Sequence, residues 1–147
     1  MASGSSWQSI DHTGDAGILV RAGTREALHE QAAAAMFEIL LDPATVRPEC
    51  SWPVAVEGQD REDLMVRWLS ELLFLHETRG IALARFEILQ LTDRELSATV
   101  YGEPLDASRH VLRTMLKAVT YHALLVTEDR LGSAGDDGWT ARIIFDV

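Results

Sequence analysis

The chain has 147 residues, 47% of them hydrophobic, and a formal net charge of −10. That length suits one domain with a sizeable core, and that apolar share excludes general disorder. The acidity argues against direct nucleic-acid binding, which needs clustered Lys and Arg. It suits a basic protein partner or cations instead, although solubility alone explains most such charges.

A single cysteine, Cys50, cannot form an internal disulfide, which suits a reducing compartment. The opening MASGSSWQS lacks the basic start and apolar stretch of a secretory signal. No run of about 18 apolar residues is present to span a membrane. The expectation is a soluble, cytoplasmic domain. All thirteen basic residues are arginine except Lys117, and the two side chains are not equivalent in binding.

Residues 1–9 are expected to be disordered, with the domain occupying 10–147. The stretch IDHTGDAGI, residues 10–18, places Asp11, His12 and Asp15 in a turn just before a strand over Ala16–Ala22. Asp and Thr in such a turn have a plain use, accepting bonds from local backbone N–H groups. His12 taken alone fits a turn or core histidine better than a ligand.

Thr24 caps a first helix, with Glu26 in its opening turn. Leu28, Ala32, Ala35, Met36, Ile39 and Leu40 recur at helical spacing until Asp42-Pro43 ends it. A strand over Val54–Glu57 precedes a second helix that opens at Asp60, with Asp63 completing a capping-box pattern. Leu64, Met65, Trp68, Leu69, Leu72 and Leu73 share one side of it, and it stops before Gly80.

Strands follow over Ala82–Leu91 and Glu95–Tyr101, where Leu96, Ala98 and Val100 alternate with polar residues. His110–His122 is open to two readings: Val111, Leu112, Met115 and Leu116 fit one helical face, while Ala118–Tyr121 looks extended. Leu124–Glu128 reads as a strand, Glu128–Gly138 as an exposed loop, and Trp139–Phe145 as a strand that again alternates.

Neither helix is cleanly amphipathic. Ala33, Ala34, Phe37 and Leu41 lie off the main stripe of the first, and Val66, Phe74 and Leu75 off that of the second. A helix apolar around its girth must be covered on more than one side. The expected fold is therefore α+β, a layered β-α-β sandwich with two main helices packed between sheets in a single domain. One sheet with both helices on a single face is the alternative.

The closing ARIIFDV sets the Asp146 side chain beside the Val147 α-carboxylate. Carboxylates are hard oxygen ligands for Ca²⁺, Mg²⁺ or Mn²⁺, and Asp15 adds a third if its turn meets the chain end. KAVTYH, residues 117–122, reads either as plain sheet or as a segment whose Tyr121 and His122 line a pocket. Zinc-type Cys/His spacing, a Gly-rich phosphate loop and a nucleophile elbow are all missing. No residue is assigned a catalytic role.

Six stretches in order resemble the archease family over Ile10–Val147: DHTGDAGI at 11–18, AAAAMFEIL at 32–40, LMVRWLSELLFLHETRG at 64–80, YGEPLD at 101–106, KAVTYH at 117–122 and the closing WTARIIFDV. The family resemblance implies a non-catalytic protein cofactor of an RtcB-type RNA ligase. That enzyme joins 3′-phosphate or cyclic-phosphate ends to 5′-hydroxyls in tRNA splicing and RNA repair, after GTP-dependent guanylylation of a histidine. The family's role would be to promote that guanylylation and multiple turnover.

The resemblance also maps a metal site onto Asp15, Asp146 and Val147, with calcium as the expected ion and magnesium or manganese as alternatives. It places Lys117 in a family motif, and Lys117, Asp11 and His12 are the expected partner contacts. Gly14 stands where the family usually has alanine, and the start of the first helix, Gly23-Thr24-Arg25-Glu26, is less acidic than usual. A general metal-binding chaperone or scaffold module for nucleic-acid enzymes is the alternative function.

Overall fold

A computed structural model describes residues 5–12, 15–129 and 138–147. Its elements in chain order are β1 (Ser6–His12), β2 (Asp15–Ala22), α1 (Arg25–Leu40), a 3-10 turn (Pro43–Thr45), β3 (Cys50–Glu57), α2 (Arg61–Glu77), β4 (Ile81–Leu91), β5 (Glu95–Pro104), β6 (Ala118–Val119), β7 (Leu125–Asp129) and β8 (Gly138–Asp146). One sheet runs β1-β2-β8-β6, with β7 also on β8; the other runs β3-β5-β4. The pairings within both sheets are antiparallel.

Both helices lie between these sheets, as their all-round apolar character requires. Helix α1 packs on β2 and β8 of the larger sheet and on β4 of the smaller; α2 packs on β6 and β7 and on β3, β4 and β5. Leu28, Ala32, Ala33, Met36 and Phe37 of α1 are completely buried, as are Leu64, Met65, Trp68, Leu69 and Leu72 of α2. The expected β-α-β sandwich is the fold. A single covered face would have left Ala33 or Phe37 in water.

Local chemistry sets the helix ends. The Thr24 hydroxyl accepts from the Ala27 N–H at 3.1 Å. The Asp60 carboxylate accepts from the Asp63 N–H at 2.8 Å, and the Asp63 carboxylate reaches back to the Gln59 N–H at 2.9 Å. These are reciprocal caps at positions with no intrahelical acceptor. Beyond α2, Gly80 takes a φ of +65°, a left-handed conformation that glycine adopts without steric cost.

Three segments differ from the sequence-based expectation. The first strand begins at Ser6, inside the segment expected to be disordered: the Trp7 indole N–H donates to Glu38 at 2.8 Å and its ring packs against the core. Over 110–122 neither a helix nor a long strand forms; the segment is irregular apart from Ala118–Val119. Its backbone spends its hydrogen bonds on other elements, with Arg113 N–H on Leu40 O and Thr114 N–H on Ile39 O. Most of the loop expected over 128–138 lies outside the described residues, while Glu128 and Asp129 belong to β7.

Candidate functional site at one end of the larger sheet

Antiparallel register brings the sequence-predicted residues to one end of the larger sheet. Asp15, first residue of β2, is the direct cross-strand partner of Asp146, last residue of β8. Asp146 is also the partner of Ala118 on its other side, and its carbonyl accepts from the Lys117 N–H at 2.7 Å. Across the β1–β2 hairpin, His12 is the backbone partner of Asp15, and Asp11 that of Ala16. Val147 follows Asp146 and is exposed.

The pleat decides which way these side chains leave the sheet. Ile18 and Val20 in β2, and Ile143 and Phe145 in β8, are buried against the helices. Asp15 and Asp146 fall on the alternate positions, so both carboxylates leave from the outer face, as direct partners in an antiparallel ladder do. Lys117 lies on the other side, lining a groove with Ser70, Leu73, Phe74, Glu77 and Thr78. The lysine side chain and the two aspartate carboxylates thus leave one backbone junction on opposite faces of the same sheet end.

Among the described residues, no three His, Cys, Asp or Glu side chains converge as a metal-binding group. The candidate donors here are the two opposed side-chain carboxylates of Asp15 and Asp146, with Val147 one residue further on. Like charges directly opposite each other in a ladder are destabilising, and a hard cation shared between them offsets that repulsion. Carboxylate oxygens are the donor type that a hard divalent ion takes.

The rest of KAVTYH braces the tip. Thr120 bonds Ile144 O through both its N–H, at 3.0 Å, and its hydroxyl, at 2.9 Å. The Tyr121 hydroxyl donates to Asp63 at 2.5 Å, tying the segment to the start of α2. That bond holds the Asp63 carboxyl below its ordinary range and raises the Tyr121 hydroxyl. Tyr121 lines a shallow groove with Gln59, Glu62 and Arg67, whereas the His122 N–H turns back to Thr120.

Sequence reading gave no role to Glu103 in YGEPLD, yet it is the hub of the connection between β5 and the 105–117 segment. Its carboxylate accepts from Arg109 at 2.9 and 2.8 Å, from the Arg47 N–H at 2.8 Å and from His110 Nε2 at 2.8 Å. His110 Nδ1 in turn accepts from the Asp106 N–H at 2.9 Å, which fixes the proton on Nε2. Arg109 first, then the Arg47 amide and His110, hold Glu103 well below the usual carboxylate range. An acid within an otherwise apolar strand end was the available signal.

The chain's similarities agree with this architecture. The model of the Archease protein family (MTH1598/TM1083) matches residues 7–147. A protein archease of Methanopyrus kandleri is 36% identical over 144 residues, 96% of this chain and 99% of the relative. One of Pyrococcus abyssi is 31% identical over 96% of this chain and 98% of its own length. The solution structure of Methanobacterium thermoautotrophicum protein 1598 superposes with a TM-score of 0.73 at 32% identity, covering 96% of this chain and 98% of that one. By family match, identity and fold together, this chain belongs to the archease family.

Proposed function

We propose that this protein activates an RtcB-type RNA ligase, promoting its guanylylation and multiple turnover without any turnover of its own. The supporting observation is the direct pairing of Asp15 with Asp146 beside Val147 at an exposed sheet end. Asp15, Asp146 and the Val147 α-carboxylate would hold a hard divalent ion, calcium in this reading. The ion would supply compact positive charge where a phosphate-bearing partner site meets the tip.

The chain's residues do the positioning. Lys117 N–H and the doubled Thr120 bonds fix the end of β8 on the neighbouring strand, so the carboxylates are presented from a rigid edge rather than a loose tail. Lys117, Asp11 and His12 lie at the same sheet end and are the proposed partner contacts. No described helix is long and apolar enough to cross a membrane, and the reading places the protein with its ligase in the cytoplasm.

The test is a guanylylation assay of the cognate ligase with GTP and divalent metal, with and without this protein. Faster formation and more complete turnover of the guanylylated ligase are expected. An unchanged rate over the full range of protein concentrations would refute the proposal.

A further inference from the structure

The segment between Val111 and Lys117 breaks the usual separation of apolar and polar surface. Val111, Leu112 and Met115 are exposed, Met115 at 71%, whereas Leu116 between them and the tip is fully buried. This is no loose loop. The Val111 carbonyl accepts from the Asp42 N–H at 2.8 Å, the Arg113 and Thr114 amides bond the last carbonyls of α1, and Leu112 bridges Leu41. The backbone therefore holds apolar side chains in water at fixed positions.

Two grooves join this segment to α2. Leu40, Leu105, Leu112, Met115 and Glu77 line one, with a volume near 250 Å³. Phe74, Leu73, Glu77, Ala118 and Lys117 line the second, near 300 Å³, and the two meet at Glu77. Phe74 is 45% exposed on a helix whose other apolar side chains are buried. The Arg79 guanidinium lies over its ring, 5.9 Å from the centroid. Exposed apolar side chains gathered around adjoining grooves in this way mark an interaction surface.

We infer that the Phe74–Met115 patch is the docking face for the same protein partner that receives the Asp15–Asp146 tip, so that one partner covers both at once. This inference rests on the proposed activator reading. Continuity carries it: Lys117 lines the Phe74 groove with its side chain while its amide bonds Asp146, so a body seated on the tip's helix-side flank reaches Phe74. Charge specifies the complement. Lys117 and Arg79 lie beside Phe74 and Glu77 sits where the two grooves meet, so the partner face presents apolar side chains edged by carboxylates, with a basic group opposite Glu77. Apolar anchors on an already ordered backbone lose little backbone freedom on binding and bring affinity to a tip that offers mainly charge.

The test uses full-length protein and the purified cognate ligase. Phe74→Glu and Met115→Glu are compared with wild type in direct binding to the ligase, guanylylation, thermal unfolding, calcium titration and sedimentation. The expected result is binding weakened about tenfold or more, with unfolding and calcium affinity unchanged. Met115, being the more exposed, is the variant least able to disturb the fold. Milder Met115→Ser and Phe74→Ser keep the test open if a glutamate does perturb folding.

Ligase binding as tight as wild type in the folded Met115 variants would overturn the inference while leaving the activator reading intact. A wild-type dimer converted to monomer by Met115→Glu, with ligase binding unchanged, would also overturn it by making the patch a self-interface. No complex and no stimulation with wild type would overturn both.

Discussion

Asp15 and Asp146 face each other directly across the β2–β8 ladder, the first residue of one strand against the last of the other. Ion binding is expected to depend on both. Calorimetry should show that Asp15→Ala and Asp146→Ala each lose most calcium affinity. Thermal unfolding should change little, because the backbone bond from Lys117 to the Asp146 carbonyl does not use either carboxylate. Full calcium affinity in Asp15→Ala would remove Asp15 from the site.

Lys117→Ala separates side chain from backbone in the same way. Its amide still bonds Asp146, so stability should stay within about 0.5 kcal/mol of wild type. Stimulation of the ligase should fall, since the ammonium flanking the Phe74 groove is gone. A large drop in melting temperature would instead make Lys117 a structural residue.

His29 sets an acid limit on stability. It is fully buried in α1, with Nδ1 donating to the Arg25 carbonyl at 2.9 Å, while Nε2 has no partner among the described residues. Burial is the main reason its pKa is lowered from 6.5 to about 4. A depressed histidine is neutral when folded but takes up a proton when unfolded below 6.5. Its contribution is therefore intact above pH 6.5 and shrinks as pH falls, levelling off below about 4. The loss is on the order of 3 kcal/mol. Denaturant titrations between pH 7 and 4 should show that slope, and His29→Leu should flatten it.

Glu103 acts in a lower window. A carboxylate held below its ordinary range stabilises the fold above its unfolded pKa, near 4.5, and that contribution is lost as pH falls further. Glu103→Gln keeps the shape but weakens the Arg109 and His110 bonds, so melting should fall by several degrees at pH 7. The difference from wild type should narrow in acid.

Gly102 tests the packing of β5 against β4. A Cβ there would lie 1.8 Å from the Ala82 carbonyl oxygen, backbone that cannot swing aside, next to the register shift between Leu83 and Arg85. Gly102→Ala should cost about 1–3 kcal/mol in chemical denaturation.

These outcomes also separate what was legible in the sequence from what was not. The helices could be read because Thr24 and Asp60 are local caps and because residues such as Phe37 and Val66 made each helix apolar all round, which demanded two sheets. The junction of Asp15 with Asp146 was expected only through resemblance, since strand pairing across 130 intervening positions leaves no local mark. Ser6–Ser9 and 110–117 were misjudged or left open for one reason. Their order comes from tertiary bonds, Trp7 to Glu38 and Arg113 to the end of α1, rather than from periodicity. Glu103 showed only as an acid among apolar neighbours; its partners Arg47 and Arg109 come from separate segments.

The most direct measurement of the central claim extends the chain at either end. Residues appended after Val147 replace its carboxylate with a neutral amide carbonyl at the tip, while residues ahead of Met1 leave Asp15, Asp146 and Val147 untouched. The account predicts that both proteins melt like wild type, that the N-terminally extended one stimulates guanylylation of the cognate ligase normally, and that the C-terminally extended one does not. Equal stimulation by the C-terminally extended protein would contradict the acidic-tip mechanism.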